Sequence, residues 1–391
     1  MNSPRFSVVI PTRNRPTYAA DALTSVLLQD FSDVEIIVSD NSTDSELAGQ
    51  LASFVEGTPA KYIRPPRDCA MPDHWEFATR TTKGQYVLVL SDRSVLKANA
   101  LRTIHESLAR EQDRIGVCSW TWSMHDEKLG VELRHSRPRM PKEISVVRSE
   151  DVSASVGSPS GTPTGALPRG LNSCYRADLA DSIRAKHGTL FRRLNPDFTS
   201  AFLLLAEVEH MLYIDRPLFI STGLGVSNGG VGYITESTSY LNSLELAEPF
   251  PSVPIKSPLV ENSIFEDFLA MRQLAGGHLA GVEFDWVNYF RVCYSELMVK
   301  KGHGLLEPAR INGFFSDWQQ ALAAADPQVQ QAVRRQLRRS PMMHLLPMLR
   351  SSWLGPHLVS VKRRLKSCLD RQGRRGRISA LEAAGFTGRA S

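Results

Sequence analysis

Residues 6–44, FSVVIPTRNRPTYAADALTSVLLQDFSDVEIIVSDNSTD, decide the fold. Residues 6–10 are a short apolar, β-branched run stopped by Pro11, and residues 36–38 are a second, stopped by Ser39 and Asp40. Between them Ala19, Ala22, Leu23, Val26 and Leu27 recur at helical spacing. A strand, a helix and a strand in so short a stretch predict a right-handed crossover and a parallel α/β sheet, whose ligands bind beyond the carboxyl ends of the strands. Residues 11–15 and 40–44 sit at those two ends. A carboxylate there accepts hydrogen bonds from a base N–H or from ribose hydroxyls, and such a loop presents backbone N–H groups. The first strand runs into Pro-Thr-Arg-Asn rather than G-x-G-x-x-G, which disfavours a dinucleotide-dependent dehydrogenase. The absence of a G-x-x-x-x-G-K-[ST] stretch argues against a P-loop hydrolase.

The pair VVIPTRNR and VSDNSTD resembles the opening of the family 2 glycosyltransferases, whose usual forms are close to VSVVIPTYNR and VDDGSTD. The resemblance covers roughly residues 5–230 and implies a GT-A, Rossmann-like fold: a mixed, mostly parallel sheet flanked by helices. It implies that Pro11, Thr12 and Asn14 in the first loop and Asp40 and Ser42 in the second hold the nucleoside of a nucleoside diphosphate sugar.

A second part of the resemblance is GQYVLVLSDRSVLKANAL, residues 84–101. Residues 87–90 form an apolar strand that ends at Ser91, Asp92, Arg93 and Ser94, where the family carries an acidic D-x-D cluster holding Mg²⁺ or Mn²⁺ against the donor pyrophosphate. Here the acidic positions hold one aspartate, one arginine and two serines, a thin oxygen shell for a hard cation. Two outcomes stay open. Either Asp92 still ligates a metal shared with the pyrophosphate, or Arg93 neutralises the phosphates without a metal, through its planar fork. Upstream, Asp73 with Glu76 three residues later suggests a capping box that opens a helix, and the resemblance places His74 beside the donor.

The third landmark is LNPDFTSAFLLLA, residues 194–206, followed by a strand containing Asp215, Arg216, Pro217 and Leu218. Inverting transferases need a general base for the acceptor hydroxyl. The resemblance gives that role to Asp197, whose position also suits an N-cap for the apolar helix after it. Residues 153–170, SASVGSPSGTPTGALPRG, are expected to be a long loop, and residues 227–230 a turn.

Beyond residue 235 the apolar spacing of Phe265, Phe268, Leu269, Trp286, Val287, Phe290 and Tyr294 predicts helices. The expected division is therefore 1–234 for the catalytic domain, 235–330 for a mainly helical region and 331–391 for a basic, partly amphipathic tail. From residue 331 onward there are 14 Lys and Arg against 2 Asp and Glu, while the preceding residues carry 32 against 39. Apolar and basic residues mixed in that tail suit the anionic cytoplasmic face of a membrane, or else a helical cap on the body. Nucleic-acid binding is not expected, because no aromatics interleave with the basic residues. Five widely spaced cysteines without a C-x-x-C pair indicate a reducing compartment and no zinc site. No 18-residue apolar run occurs, and the first strand starts too early to leave room for a signal peptide, so a cytoplasmic chain is expected, peripheral to the membrane at most.

The expected activity is inverting, non-processive transfer of a sugar to a saccharide or lipid-linked saccharide acceptor, since the processive signature Q-x-x-R-W is absent. The eroded acidic cluster keeps an alternative open, a catalytically inactive nucleotide-sugar-binding or scaffold protein of a polysaccharide assembly.

Overall fold

This computed structural model describes residues 3–126, 131–134, 142–157, 166–222, 228–236, 238–339 and 379–386. The first half of the chain alternates strands and helices: β1 (Phe6–Thr12), α1 (Pro16–Leu27), β2 (Val34–Asp40), α2 (Ser45–Val55), β3 (Lys61–Ile63), α3 (Met71–Arg80), β4 (Tyr86–Val89), β5 (Ser94–Leu96) and α4 (Ala100–Arg110). There follow β6 (Val117–Asp126), β7 (Val131–Arg134), β8 (Ile144–Arg148), α5 (Ser149–Gly157), β9 (Ser173–Arg176), α6 (Ala177–His187), α7 (Pro196–Glu207) and β10 (His210–Ser221).

These strands join one sheet in the order β3-β2-β1-β4-β9-β6-β10-β5, with β7 on β6 and β8 on β10. β3, β2, β1 and β4 are mutually parallel, and β6 and β10 run the same way after the antiparallel β9. The expected mixed, mostly parallel sheet is present. Along β1, Phe6, Val8 and Ile10 face the core under α1 and α4, while Val9 faces the core under α3 and α7. Helices thus cover both faces, which is why the strands are apolar on both sides.

β1 runs on through Pro11 to Thr12, and β2 spans Val34–Asp40, both longer than the apolar runs predict. Pro11 fits because β4 pairs with β1 only as far as Val9, so beyond that point one side of β1 needs no ladder donor. β10 switches partner in mid-course: residues 210–214 pair with β8 and residues 219–221 with β5, and the register against β6 slips on either side of Pro217.

Three local expectations are corrected. α3 starts from Ala70 without a side-chain cap, so Asp73 lies in its first turn, and Glu76 is buried under Arg184 and the Leu190 N–H instead of closing a capping box. Residues 153–157, expected in a loop, belong to α5, whose Val152 and Ser153 are fully buried. The turn expected at 227–230 gives way to α8 (Asn228–Ile234); Ser227 lies outside the described residues.

The later helices are α9 (Thr238–Ser243), α10 (Val260–Ala275), α11 (Gly277–Ala280), α12 (Trp286–His303), α13 (Pro308–Ala324) and α14 (Pro327–Arg339). Their own core gathers Phe265, Tyr289, Phe290, Phe314 and Trp318 together with Leu194 from the sheet half, while Phe268 and Met271 of α10 sit in the sheet's second core. α10 is therefore shared by both. Val333 anchors α14 in the helical core. Residues 340–378, most of the basic tail expected to meet a membrane, lie outside the described residues. A last short helix, α15 (Ala380–Ala383), packs on the outermost strand β5 and on β10 through Ala384, Val95 and Ile220. Among the described residues, no helix is long and apolar enough to cross a membrane.

Gly84, just before β4, is a point of close approach. A Cβ there would lie 2.5 Å from the Ser7 nitrogen and 2.6 Å from the Phe6 carbonyl carbon. Its N–H donates to the Ser7 hydroxyl, which donates to the buried Glu35. Gly84→Ala is expected to lower stability by about 2–3 kcal/mol, because backbone rather than a flexible side chain must move; the midpoint of denaturant unfolding measures it.

Candidate active site

A cavity of about 820 Å³ opens where β1 and β4 end, and it is closed from the opposite side by the start of α7 and by α9 and α10. Parallel strands put their carboxyl ends on one edge, so loops far apart in sequence meet there. Of the residues singled out from sequence, Pro11, Thr12, Asn14, His74, Asp92, Arg93 and Asp197 line the cavity. Asp40 and Ser42, expected to hold the nucleoside, do not.

Asp40 is completely buried, and both its oxygens are taken. One accepts the N–H and hydroxyl of Ser42, the other the Tyr62 hydroxyl at 2.6 Å. The Ser42 hydroxyl also accepts the Asn14 N–H at 2.8 Å, and the Asn14 side chain bridges to the Thr43 and Asp44 N–H groups at 3.0 and 3.2 Å. Asn14 does this from a left-handed backbone, φ 54°, which asparagine tolerates better than branched residues do. The two signature loops are thus clipped together by their own polar side chains. The side chain that this arrangement presents to the cavity is Asn41, whose Nδ2 donates to the Cys69 carbonyl at 2.8 Å.

His74 is nearly buried and meets the Ser39 hydroxyl at 2.9 Å through Nε2. Burial lowers its pKa to about 4, against the opposing charge of Asp40, so it is a neutral imidazole at pH 7.

At the end of β4 the Asp92 carboxylate is buried. Burial raises its pKa, opposed by the charge of Arg15, the Thr12 hydroxyl and Arg93. Arg15 Nε and Thr12 Oγ1 each lie 3.0 Å from Oδ2. Arg93 also lines the cavity, and its guanidinium donates to the Thr222 carbonyl at 2.8 Å, beyond the end of β10. A divalent cation of the Mg²⁺ or Mn²⁺ kind needs about six oxygen ligands. Here the carboxylate is bridged by a guanidinium with a second guanidinium beside it, and the described residues contain no group of three His, Cys, Asp or Glu able to hold a metal. This donor set does not suit a protein-bound divalent ion.

Across the cavity Asp197 occupies the first turn of α7; the residue at the N-cap position is Asn195, not Asp197. Burial raises the Asp197 pKa, while Arg169 and the backbone N–H groups of the helix start oppose the shift. The Arg169 guanidinium lies over the Trp122 ring at 4.4 Å and the Phe198 ring at 5.4 Å, which sets its height over the cavity floor. The segment leading into Asp197 is gripped by α10. The Asp267 carboxylate accepts the Asn195 N–H at 2.7 Å and its Nδ2 at 2.9 Å, and Glu266 takes Arg193 at 2.9 Å and the Ser252 N–H at 2.7 Å. Both acids are fully buried.

Sequence reasoning missed Arg15, Asn41, Arg169 and the α10 acids. Arg15 and Asn41 adjoin the signature residues, so proximity was an available signal. Arg169 lies in a Ser-, Gly- and Pro-rich stretch with no periodicity to mark it, and Asp267 looks like any polar position on a helix.

Residues 7–162 match the model of the glycosyl transferase family 2. No curated protein matches the chain. Among solved structures, residues 1–349 of S. aureus TarS in complex with UDP-GlcNAc superpose with a TM-score of 0.51 at 13% identity, over 92% of this chain and 92% of that one. That likeness is one of fold, and it is the GT-A architecture the sequence led us to expect. S. aureus TarS gives a TM-score of 0.45 at 15% identity over 87% of this chain, which spans only 52% of the TarS chain. The mannosyltransferase PcManGT from Pyrobaculum calidifontis, in complex with GDP-Man and Mn²⁺, gives 0.41 at 12% identity over 90% of this chain and 88% of its own.

Asp267→Ala would strip acceptors from the Leu194 and Asn195 N–H groups. We expect about 3 kcal/mol of lost stability by chemical unfolding, the usual range for an orphaned buried polar cluster. A depressed His74 pKa means that the unfolded chain takes up a proton which the folded chain refuses. Its contribution is present above pH 6.5 and is lost as pH falls toward 4, by up to about 3 kcal/mol. His74→Asn should remove that part of the pH slope, read as the difference between wild-type and variant unfolding free energies from pH 7 to 4.

Proposed function

We propose, from the premise that residues 7–162 form a family 2 glycosyltransferase domain and that the chain is a glycosyltransferase, that it moves a sugar from a nucleoside diphosphate sugar to a saccharide or lipid-linked saccharide with inversion. One observation carries this reading: a single cavity has the Asp92–Arg93 strand end on one wall and the Asp197 carboxylate on the other. The two chemical ends of an in-line displacement are thereby separated. The nucleoside lies toward the β1 and β2 loops and His74, where Asn41 and backbone groups offer donors and acceptors. The diphosphate lies at Ser91–Arg93, and the acceptor enters from α9 and α10.

In this reading the acceptor hydroxyl attacks the anomeric carbon while Asp197 takes its proton. The bond from that carbon to the β-phosphate oxygen breaks with its electron pair left on the phosphate. A carboxylate whose pKa is raised by burial is a better base than a free aspartate, because its strength moves toward the working pH. The acceptor wall mixes rings and hydroxyls, with Tyr240 and Phe250 beside Ser239 and Ser263, which suits stacking on a sugar face with hydroxyls bonded at its rim. Tyr240 is itself fixed by its hydroxyl, which donates to the Leu194 carbonyl at 2.6 Å. We take residues 1–234 as the donor-binding part and 235–330 as the part that builds the acceptor wall. The basic residues from 331 onward would bring the chain to the cytoplasmic face of an anionic membrane, where a lipid-linked acceptor resides. The TarS structure with UDP-GlcNAc makes uridine diphosphate sugars the first donors to test.

Asp197→Asn keeps the shape and removes the base. Turnover in a radiolabelled transfer assay should fall about 10²–10⁴-fold with nucleoside diphosphate affinity unchanged; a variant with normal turnover would end the assignment. Tight nucleotide binding by the wild type with neither transfer nor donor hydrolysis would favour the scaffold alternative.

A further inference from the structure

The cationic side of the cavity includes Arg15, a residue that the donor-site reading does not use. Asp92 is 3% exposed and is met on Oδ2 by Arg15 Nε at 3.0 Å and Thr12 Oγ1 at 3.0 Å. On its other side the chain continues into Arg93, whose guanidinium is fastened to the Thr222 carbonyl. Arg15 and Arg93 both line the cavity, and among the described residues lining this wall Asp92 is the one carboxylate beside these two guanidinium groups. The next arginine, Arg13, is paired with Asp68 at 2.5 Å and contributes no excess. Such a wall repels a divalent cation and attracts a diphosphate. Guanidinium groups also match phosphate oxygens in geometry and stay charged at any working pH.

We propose that Arg15 and Arg93 together hold the donor's diphosphate and take up the charge that develops on it, in place of a protein-bound divalent ion. Asp92 is a positioning residue that fixes the Arg15 guanidinium at the cavity wall. When the bond between the anomeric carbon and the β-phosphate oxygen breaks, the electron pair stays on a phosphate already flanked by two fixed cations. No co-reactant is needed. This inference rests on the reading of the cavity as a nucleoside diphosphate sugar site and adds the means by which the phosphates are held. Thr12 has a second use here, as the hydroxyl that leaves Asp92 with fewer open lone pairs for a metal.

The test is calorimetric titration of the full chain with UDP and with GDP, each in EDTA and in Mn²⁺. Whichever diphosphate binds is expected to do so with an affinity that agrees within about twofold in the two conditions. Arg15→Gln and Arg93→Gln should each weaken it by about tenfold or more, the loss of one charge-assisted contact. Binding of the phosphate-free nucleoside should be the same in wild type and variants, and Arg15→Lys should be intermediate because it keeps the charge without the fork. Binding that disappears in EDTA and returns with Mn²⁺ overturns the proposal while leaving the glycosyltransferase reading intact. No binding of either diphosphate in either condition, with no transfer from any sugar donor, removes the donor-site reading and this proposal with it. The EDTA comparison uses unaltered protein, so it stands even if an arginine variant fails to fold.

Discussion

Two carboxylates side by side on α10, Glu266 and Asp267, hold the two halves of this molecule in one arrangement. Both are fully buried, a costly situation unless each oxygen finds a donor. They find them in Arg193, in the N–H groups of Leu194 and Asn195, and in those of Ser252 and Val253. Neither half could supply this set alone, since the acids sit on a late helix and half of the donors on the segment entering α7. That grip ties α10, which lines the cavity, to the segment entering α7, and Asp197 takes its position two residues beyond the gripped backbone.

The same economy of pairing recurs across the cavity. Arg13 has Asp68, Arg15 has Asp92, and Arg169 acts electrostatically on Asp197. Each guanidinium is held in place before any ligand arrives, so little side-chain freedom remains to be lost on binding. The signature loops are pre-ordered in the same way. Asn14, Ser42, Thr43 and Asp40 bond mainly to each other, so their polar atoms hold the geometry of the two loops.

That division explains what the sequence could and could not reveal. The β1-α1-β2 unit, the β4 strand and the helices around Phe265 and Phe290 were legible because burial on one or both faces imposes a local period. The two loops were legible as a pair because they resemble a known opening, but whether Asp40 faces a ligand or Tyr62 depends on a partner twenty-two residues away. α5 was hidden by its composition: serines and a glycine look like loop residues until Val152 and Ser153 are seen packed against α7. Asp73 looked like a cap because local spacing allowed it, whereas Glu76 was needed by Arg184, more than a hundred residues on. Local rules fail here where a long-range partner outbids them.

The segment at 379–386 lies on β5, the last strand of the sheet. An end strand leaves a row of backbone donors and acceptors open to another chain. Here the Ala98 N–H, just past β5, donates to the Ala384 carbonyl at 3.0 Å, while Ala384 covers Val95 and Ile220. The chain thereby supplies its own end-cap from a point almost three hundred residues away in sequence. That cap packs on Val95, two residues beyond Arg93, so resistance to edge-to-edge aggregation and the support of one wall of the cavity come to share one short stretch of polypeptide.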